Sequence, residues 1–64
     1  MKLTEFWERM ENQLGKVYSR VWAGEHWIAG LDHRTVIDAL ADGVPAKAVW
    51  RAVWAELELP LTER

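Results

Sequence analysis

Between Pro45 and Leu57 the sequence reads PAKAVWRAVWAEL, and the block Ala48-Val49-Trp50-Arg51 is followed at once by Ala52-Val53-Trp54. Alanine, valine and tryptophan each recur at a spacing of four, which stacks side chains on one face of an α-helix. At about 100° per residue, Val49, Val53, Leu57, Trp50 and Trp54 cover an arc of roughly 140°. Ala46 extends these rows. Ala48, Ala52 and Ala55 make a second, shallow face that another backbone can approach. Lys47, Arg51, Glu56 and Glu58 are left for water. A helix apolar around most of its circumference is a buried helix, so this stretch is expected to be the last helix and the centre of the fold.

The need for such a helix follows from size. The chain has 64 residues and no cysteine, so neither a disulfide nor a thiolate-held zinc can hold it together. It has room for one domain over residues 1–64, and a chain this short buries only about 60% of its unfolded surface. Five tryptophans offset that shortage, since a buried aromatic removes about 150–250 Å² from water. Trp7, Trp22 and Trp50 are accordingly read as core. The net charge of −2 is not that of a protein held on nucleic acid by charge alone. No apolar run approaches the ~20 residues of a membrane span. The start Met1-Lys2-Leu3-Thr4-Glu5 lacks the apolar stretch of a signal peptide. A cytoplasmic location is expected.

The rest of the chain reads as an all-α fold: three main helices and one short one. A first helix is expected from an N-cap at Thr4 to Leu14, with Leu3, Phe6, Trp7, Met10 and Leu14 on one arc and Gly15 at its end. Glu5 and Arg9 form an i,i+4 pair in the favourable order. A second helix is expected over 16–29. Val17, Tyr18, Val21, Trp22, Ile28 and Ala29 would share its inner face, with Glu25 projecting from that face and Trp27, Arg20 and Ala23 opposite. Gly24 weakens this helix by about 1 kcal/mol relative to alanine. Thr35-Val36-Ile37-Asp38 resembles a capping box and opens a short third helix, 35–41, with Val36, Ile37 and Leu40 inward. Gly43 ends it, and Pro45 suits the first turn of the last helix. Residues 58–64 form a C-terminal tail, from which Leu59 and Leu61 are expected to fold back onto the core.

The opening MKLTEFWERME, the middle from Gly30 to Gly43 with its Arg34-Thr35-Val36, and Val49-Trp50-Arg51-Ala52-Val53 together resemble a small actinobacterial family, catalogued as domain of unknown function 3046. The resemblance spans nearly the whole chain. It implies a small helical protein and brings with it no activity, cofactor or catalytic residue. The sequence departs from the family pattern at Lys16, where members often carry proline. It departs again at Val44-Pro45, where they often carry Asp-Pro.

Two functional readings come from the residues themselves. The first is a non-enzymatic protein-interaction module, with an unidentified protein or a second copy as partner. Trp27 and Trp54 lie at the margins of their helices' apolar arcs, and exposed tryptophan anchors interfaces. With Lys47 and Arg51 they form the candidate surface. The second is a helix-turn-helix DNA binder using residues 35–57. There Ala39 to Gly43 supplies the first helix and turn, and Lys47 and Arg51 lie on the reading helix. Against it, Asp38 and Asp42 fall where that motif is apolar.

Glu25 is expected to pair with Arg34 or Arg51, or to cap the third helix. It does not form a dyad with His26, because helix neighbours point about 100° apart. No metal-ligand spacing, glycine-rich phosphate loop or nucleophile–base constellation is present. The small chain also leaves little room for a substrate cavity of about 300 Å³ or more. No cofactor, metal or small-molecule substrate is expected, nor any membrane association.

Overall fold

The computed structural model describes residues 1–63, and side chains through residue 62. It is all-α: α1 (Leu3–Leu14), α2 (Tyr18–Glu25), α3 (Val36–Ala41) and α4 (Ala46–Glu56), with short 3₁₀ turns at Ala29–Leu31 and Leu61–Glu63. None of these helices is long and apolar enough to cross a membrane.

Helix α4 is the central element. It packs against α1, α3 and the 3₁₀ turn at Ala29–Leu31. Pro45, with φ −58°, caps it, and Leu57 ends it. Val49, Trp50 and Val53 are buried, Leu57 is half-buried against the core, and Trp54 is half-buried. The Trp50 ring meets Phe6 edge-on at 6.2 Å, joining α4 to α1. Of the three alanines on the shallow face, Ala52 receives a neighbour: a Cβ placed on Gly30 would lie 3.4 Å from the Ala52 Cβ. Ala48 and Ala55 are exposed.

Helix α1 starts two residues before the expected position. Phe6 N–H bonds the Lys2 carbonyl at 3.0 Å, so Lys2 rather than Thr4 is the capping residue, and Thr4 lies within the first turn. Phe6 and Met10 are buried, and Trp7 and Leu14 are half-buried. Leu3, the first residue of the helix, is exposed instead of inward. Gly15 takes φ +90° at the exit.

Helix α2 departs most from expectation. It spans eight residues and ends at Glu25 rather than at Ala29. Its buried face is Ser19, Trp22 and Ala23, whereas Val17, Tyr18 and Val21 are exposed. The cause is the close packing of α2 against both α1 and α3. Ser19 and Ala23, one turn apart, let neighbouring backbones approach; valine and tyrosine would hold them off. The buried Ser19 hydroxyl donates to the Lys16 carbonyl at 3.2 Å, so its burial leaves no orphaned donor. Arg20 crosses to α1. Its guanidinium lies 3.9 Å from the Trp7 ring centroid and pairs with Glu11 at 3.2 Å.

The early end of α2 follows from a pairing distant in sequence. Ile28 N–H bonds the Arg34 carbonyl at 3.1 Å, and His33 N–H bonds the Ile28 carbonyl at 3.2 Å. The backbone must be extended at His26 to reach this pairing. Asp32 and His33 close the loop in the left-handed region, with φ of 57° and 59°; Asp and His are among the residues that tolerate it best. Buried Ile28 and Leu31 anchor the loop on α4.

Helix α3 forms as expected, with Thr35 Oγ1 accepting from Asp38 N–H at 3.1 Å. Val36 and Ala39 are buried and Leu40 is half-buried. Ile37, expected inward, is exposed, because the buried row of this short helix is set by Val36 and Ala39.

In the tail, Leu59 folds back, with its N–H on the Trp54 carbonyl at 3.1 Å. Leu61 does not; it stays 72% exposed, carried past Leu59 by Pro60. Arg64 lies outside the described residues.

Candidate interaction surface

Helical geometry places Lys47, Arg51 and Trp54 on one edge of α4, at i, i+4 and i+7. Lys47 and Arg51 are exposed, whereas Trp54, read from the sequence as a candidate exposed anchor, is half-buried. The Trp54 indole N–H donates to the Pro60 carbonyl at 2.9 Å. One end of this edge is therefore covered by the chain's own tail.

The edge forms one wall of an open cleft of about 270 Å³ between α1 and α4. Met1, Glu5, Arg9, Lys47, Trp50 and Arg51 line it. Arg9 reaches the Glu5 carboxylate at 3.4 Å, and its guanidinium carbon lies 5.9 Å from the Trp50 ring centroid. Three cations thus face one carboxylate around an indole edge. Two other described arginines are matched: Arg20 has Glu11, and Arg34 has Asp42 at 2.8 Å and Asp32 at 3.7 Å. Lys47 and Arg51 make no ion pair among the described residues. Lys2 and Lys16 likewise have none among the described residues, but neither lines this cleft.

Trp27 is 69% exposed but lies elsewhere. It follows His26, whose Nε2–H donates to Glu56 Oε2 at 2.8 Å and whose ring stacks on Trp22 at 4.7 Å. Glu56 lies nine residues beyond Lys47, roughly 180° around the helix at ~100° per residue. The fold therefore brings Lys47, Arg51 and Trp54 together and leaves Trp27 on another flank.

The expected Glu25 pairing is replaced. Glu25 ends α2 as an exposed residue, and Arg34 turns to Asp42 and to the Leu31 carbonyl at 3.0 Å. Arg51 opens onto the α1 cleft. Glu25 lies off the buried Ser19, Trp22 and Ala23 row of α2 and so stays at the surface.

The sequence reading missed two things. The first is the α1 contribution of Glu5 and Arg9, which depends on how two helices pack. The second is the exposed row Val17, Tyr18 and Val21 on α2, beside a second open cleft of about 260 Å³ lined by Tyr18, Val21, Trp22, Glu25 and His26. A sequence signal for the second existed: Ser19 and Ala23 form an alternative row of small residues one turn apart.

No curated protein and no solved structure matches the chain. Residues 1–62 match the family described as protein of unknown function (DUF3046), and the chain belongs to that family.

Proposed function

We propose that this is a small, non-enzymatic cytoplasmic protein-interaction module that meets its partner along the Lys47–Arg51 edge of α4, with Trp54 at one end. The observation that carries the reading is the pair of exposed cations lining a cleft without ion-pair partners among the described residues, on the helix the rest of the fold is packed around. Arg20 and Arg34, by contrast, are held by carboxylates of their own chain. Trp27 offers a separate exposed ring and is secondary in this reading.

Affinity capture from lysate of the source cells tests it, comparing wild type with a Lys47→Glu/Arg51→Glu double variant and with Trp27→Ala. A protein captured by wild type and Trp27→Ala and lost by the double variant supports the edge as the interface. Equal capture by all three removes it.

A helix-turn-helix reading stands second. It is favoured by the sequence of α3, a bonded turn at Gly43, and α4 with its exposed Lys47 and Arg51. DNA binding of this kind demands affinity for mixed duplex that falls steeply with salt. Absence of a gel shift at low salt eliminates it.

A further inference from the structure

We infer that two copies of this chain pair antiparallel along α2, with Val21 on the twofold axis and the Tyr18 ring of each copy seated in the α2 cleft of the other. This face is separate from the Lys47–Arg51 edge of α4 and does not depend on it.

Helix α2 turns its apolar row outward. Val17, Tyr18, Val21 and Gly24 are exposed, and exposed Glu25 closes the row. At ~100° per residue the row centres about 150° around the helix from buried Ser19, Trp22 and Ala23, so it points away from α1 and α3. Beside it lies the open cleft of about 260 Å³ lined by Tyr18, Val21, Trp22, Glu25 and His26, with room for one aromatic side chain. Its far wall is held in place: His26 stacks on Trp22 at 4.7 Å and bonds Glu56 at 2.8 Å. Gly24 leaves a hollow next to Val21. A Cβ there would meet nothing within 4 Å, so no close contact inside the chain calls for glycine.

The row is complementary to itself in one orientation. Around a twofold at Val21, the residues three and four before it meet those three and four after it in the other copy. Val21 then packs on Val21. Val17 drops into the hollow at Gly24, where no Cβ holds the helices apart. Tyr18 enters the cleft beside Glu25, and its hydroxyl donates to that carboxylate. Neither the Tyr18 hydroxyl nor the Glu25 carboxylate has a side-chain partner among the described residues. Charge selects the same orientation. Lys16 stands at the start of α2 and Glu25 at its end, both exposed and without an ion pair among the described residues, while Arg20 is turned to Trp7 and Glu11 on α1. Antiparallel copies bring each Lys16 end to a Glu25 end, whereas parallel copies would set like charges together.

A helix of this length, about 12 Å, is too short to bury the ~800 Å² per partner of a tight complex, so the pair is weak, with Kd expected at about 10–300 µM. Sedimentation equilibrium of the full chain up to about 1 mM should show monomer and dimer in exchange. Val21→Glu sets two carboxylates against each other on the axis and should weaken association at least about tenfold, with native helix content because Val21 is exposed. Tyr18→Phe should weaken it about five- to thirtyfold, since two equivalent hydrogen bonds are lost. Glu25→Lys should weaken it as well, and the double reversal Lys16→Glu/Glu25→Lys should recover part of that loss. The chain has no cysteine, so Val21→Cys gives a second readout. On the axis the two thiols meet, and they should oxidise to a linked dimer at least about tenfold faster than those of Trp27→Cys, placed at an exposed residue outside the row.

A chain that stays monomeric at the highest concentration overturns the pairing. So does association that Val21→Glu leaves intact, or equal coupling of the thiols at 21 and 27. Failure of the double charge reversal to recover any association overturns the antiparallel orientation. Lys47→Glu/Arg51→Glu should leave the dimer unchanged; loss of the dimer in that variant would move the contact to α4 and overturn the assignment to α2.

Discussion

Helices α3 and α4 end in the same bonded turn with different residues at its critical position. In α3, Val44 N–H bonds the Ala39 carbonyl at 3.0 Å and Gly43 N–H bonds Leu40 at 3.1 Å. In α4, Leu59 N–H bonds Trp54 at 3.1 Å and Glu58 N–H bonds Ala55 at 3.2 Å. This is the Schellman pattern, whose penultimate residue adopts positive φ and is normally glycine. Gly43 sits there at φ +89°, and Glu58 at φ +53°. A side chain in that conformation costs about 1–2 kcal/mol. Glu58 is exposed and has no side-chain bond among the described residues to offset it. Glu58→Gly should therefore stabilise the fold by about 0.5–1 kcal/mol, the strain relieved less the freedom glycine adds to the unfolded chain. In a chain of this size that raises the melting midpoint by about 3–7 °C. Gly43→Ala is the converse. Nothing lies within 4 Å of the added Cβ, so its expected loss of about 1 kcal/mol is purely conformational. Thermal and urea unfolding followed by circular dichroism measure both. If Gly43→Ala destabilises while Glu58→Gly leaves the midpoint unchanged or lowers it, the φ at residue 58 is not a source of strain and the reasoning fails.

Three further outcomes follow from burial. Trp50→Ala should cost about 3–5 kcal/mol, comparable to the whole stability of so small a core, so its circular dichroism at 25 °C should lose most of its helical signal. Trp54→Phe removes the bond to the Pro60 carbonyl and should cost about 0.5–1.5 kcal/mol, with earlier protease cleavage of the tail as an independent sign. Trp27→Ala should change stability by less than about 0.5 kcal/mol and should remove most of the iodide-quenchable tryptophan emission.

The parts of the fold legible in the sequence were those where one apolar row dominates. In α4, the valine and tryptophan rows outweigh the shallow alanine face, and Pro45 and Leu57 bound the observed helix. In α1, Phe6 and Met10 are likewise unambiguous. Helix α2 has two rows of comparable merit, and mean apolarity favours Val17, Tyr18 and Val21. Packing against two neighbours at once favours Ser19 and Ala23, a criterion that local periodicity does not contain. The stop at Glu25 was equally hidden, because it is enforced by Ile28 meeting Arg34 across a turn. The candidate surface divides in the same way. Lys47 and Arg51 share an edge by helical spacing alone, so they were legible. Their juxtaposition with Glu5 and Arg9 depends on which way α1 lies over α4.

The contact between Gly30 and Ala52 sets a rule for sequence change in this family. A methyl group at residue 30 would already touch the Ala52 methyl at 3.4 Å, so added bulk at residue 52, which faces the 3₁₀ turn, should press on the turn docked on the central helix. Homologous chains should therefore keep the combined bulk of these two positions near that of one or two methyl groups. A larger residue at 30 should appear only where glycine replaces Ala52, and an alignment deep enough to show the pair drifting independently would count against the docked turn as a shared feature.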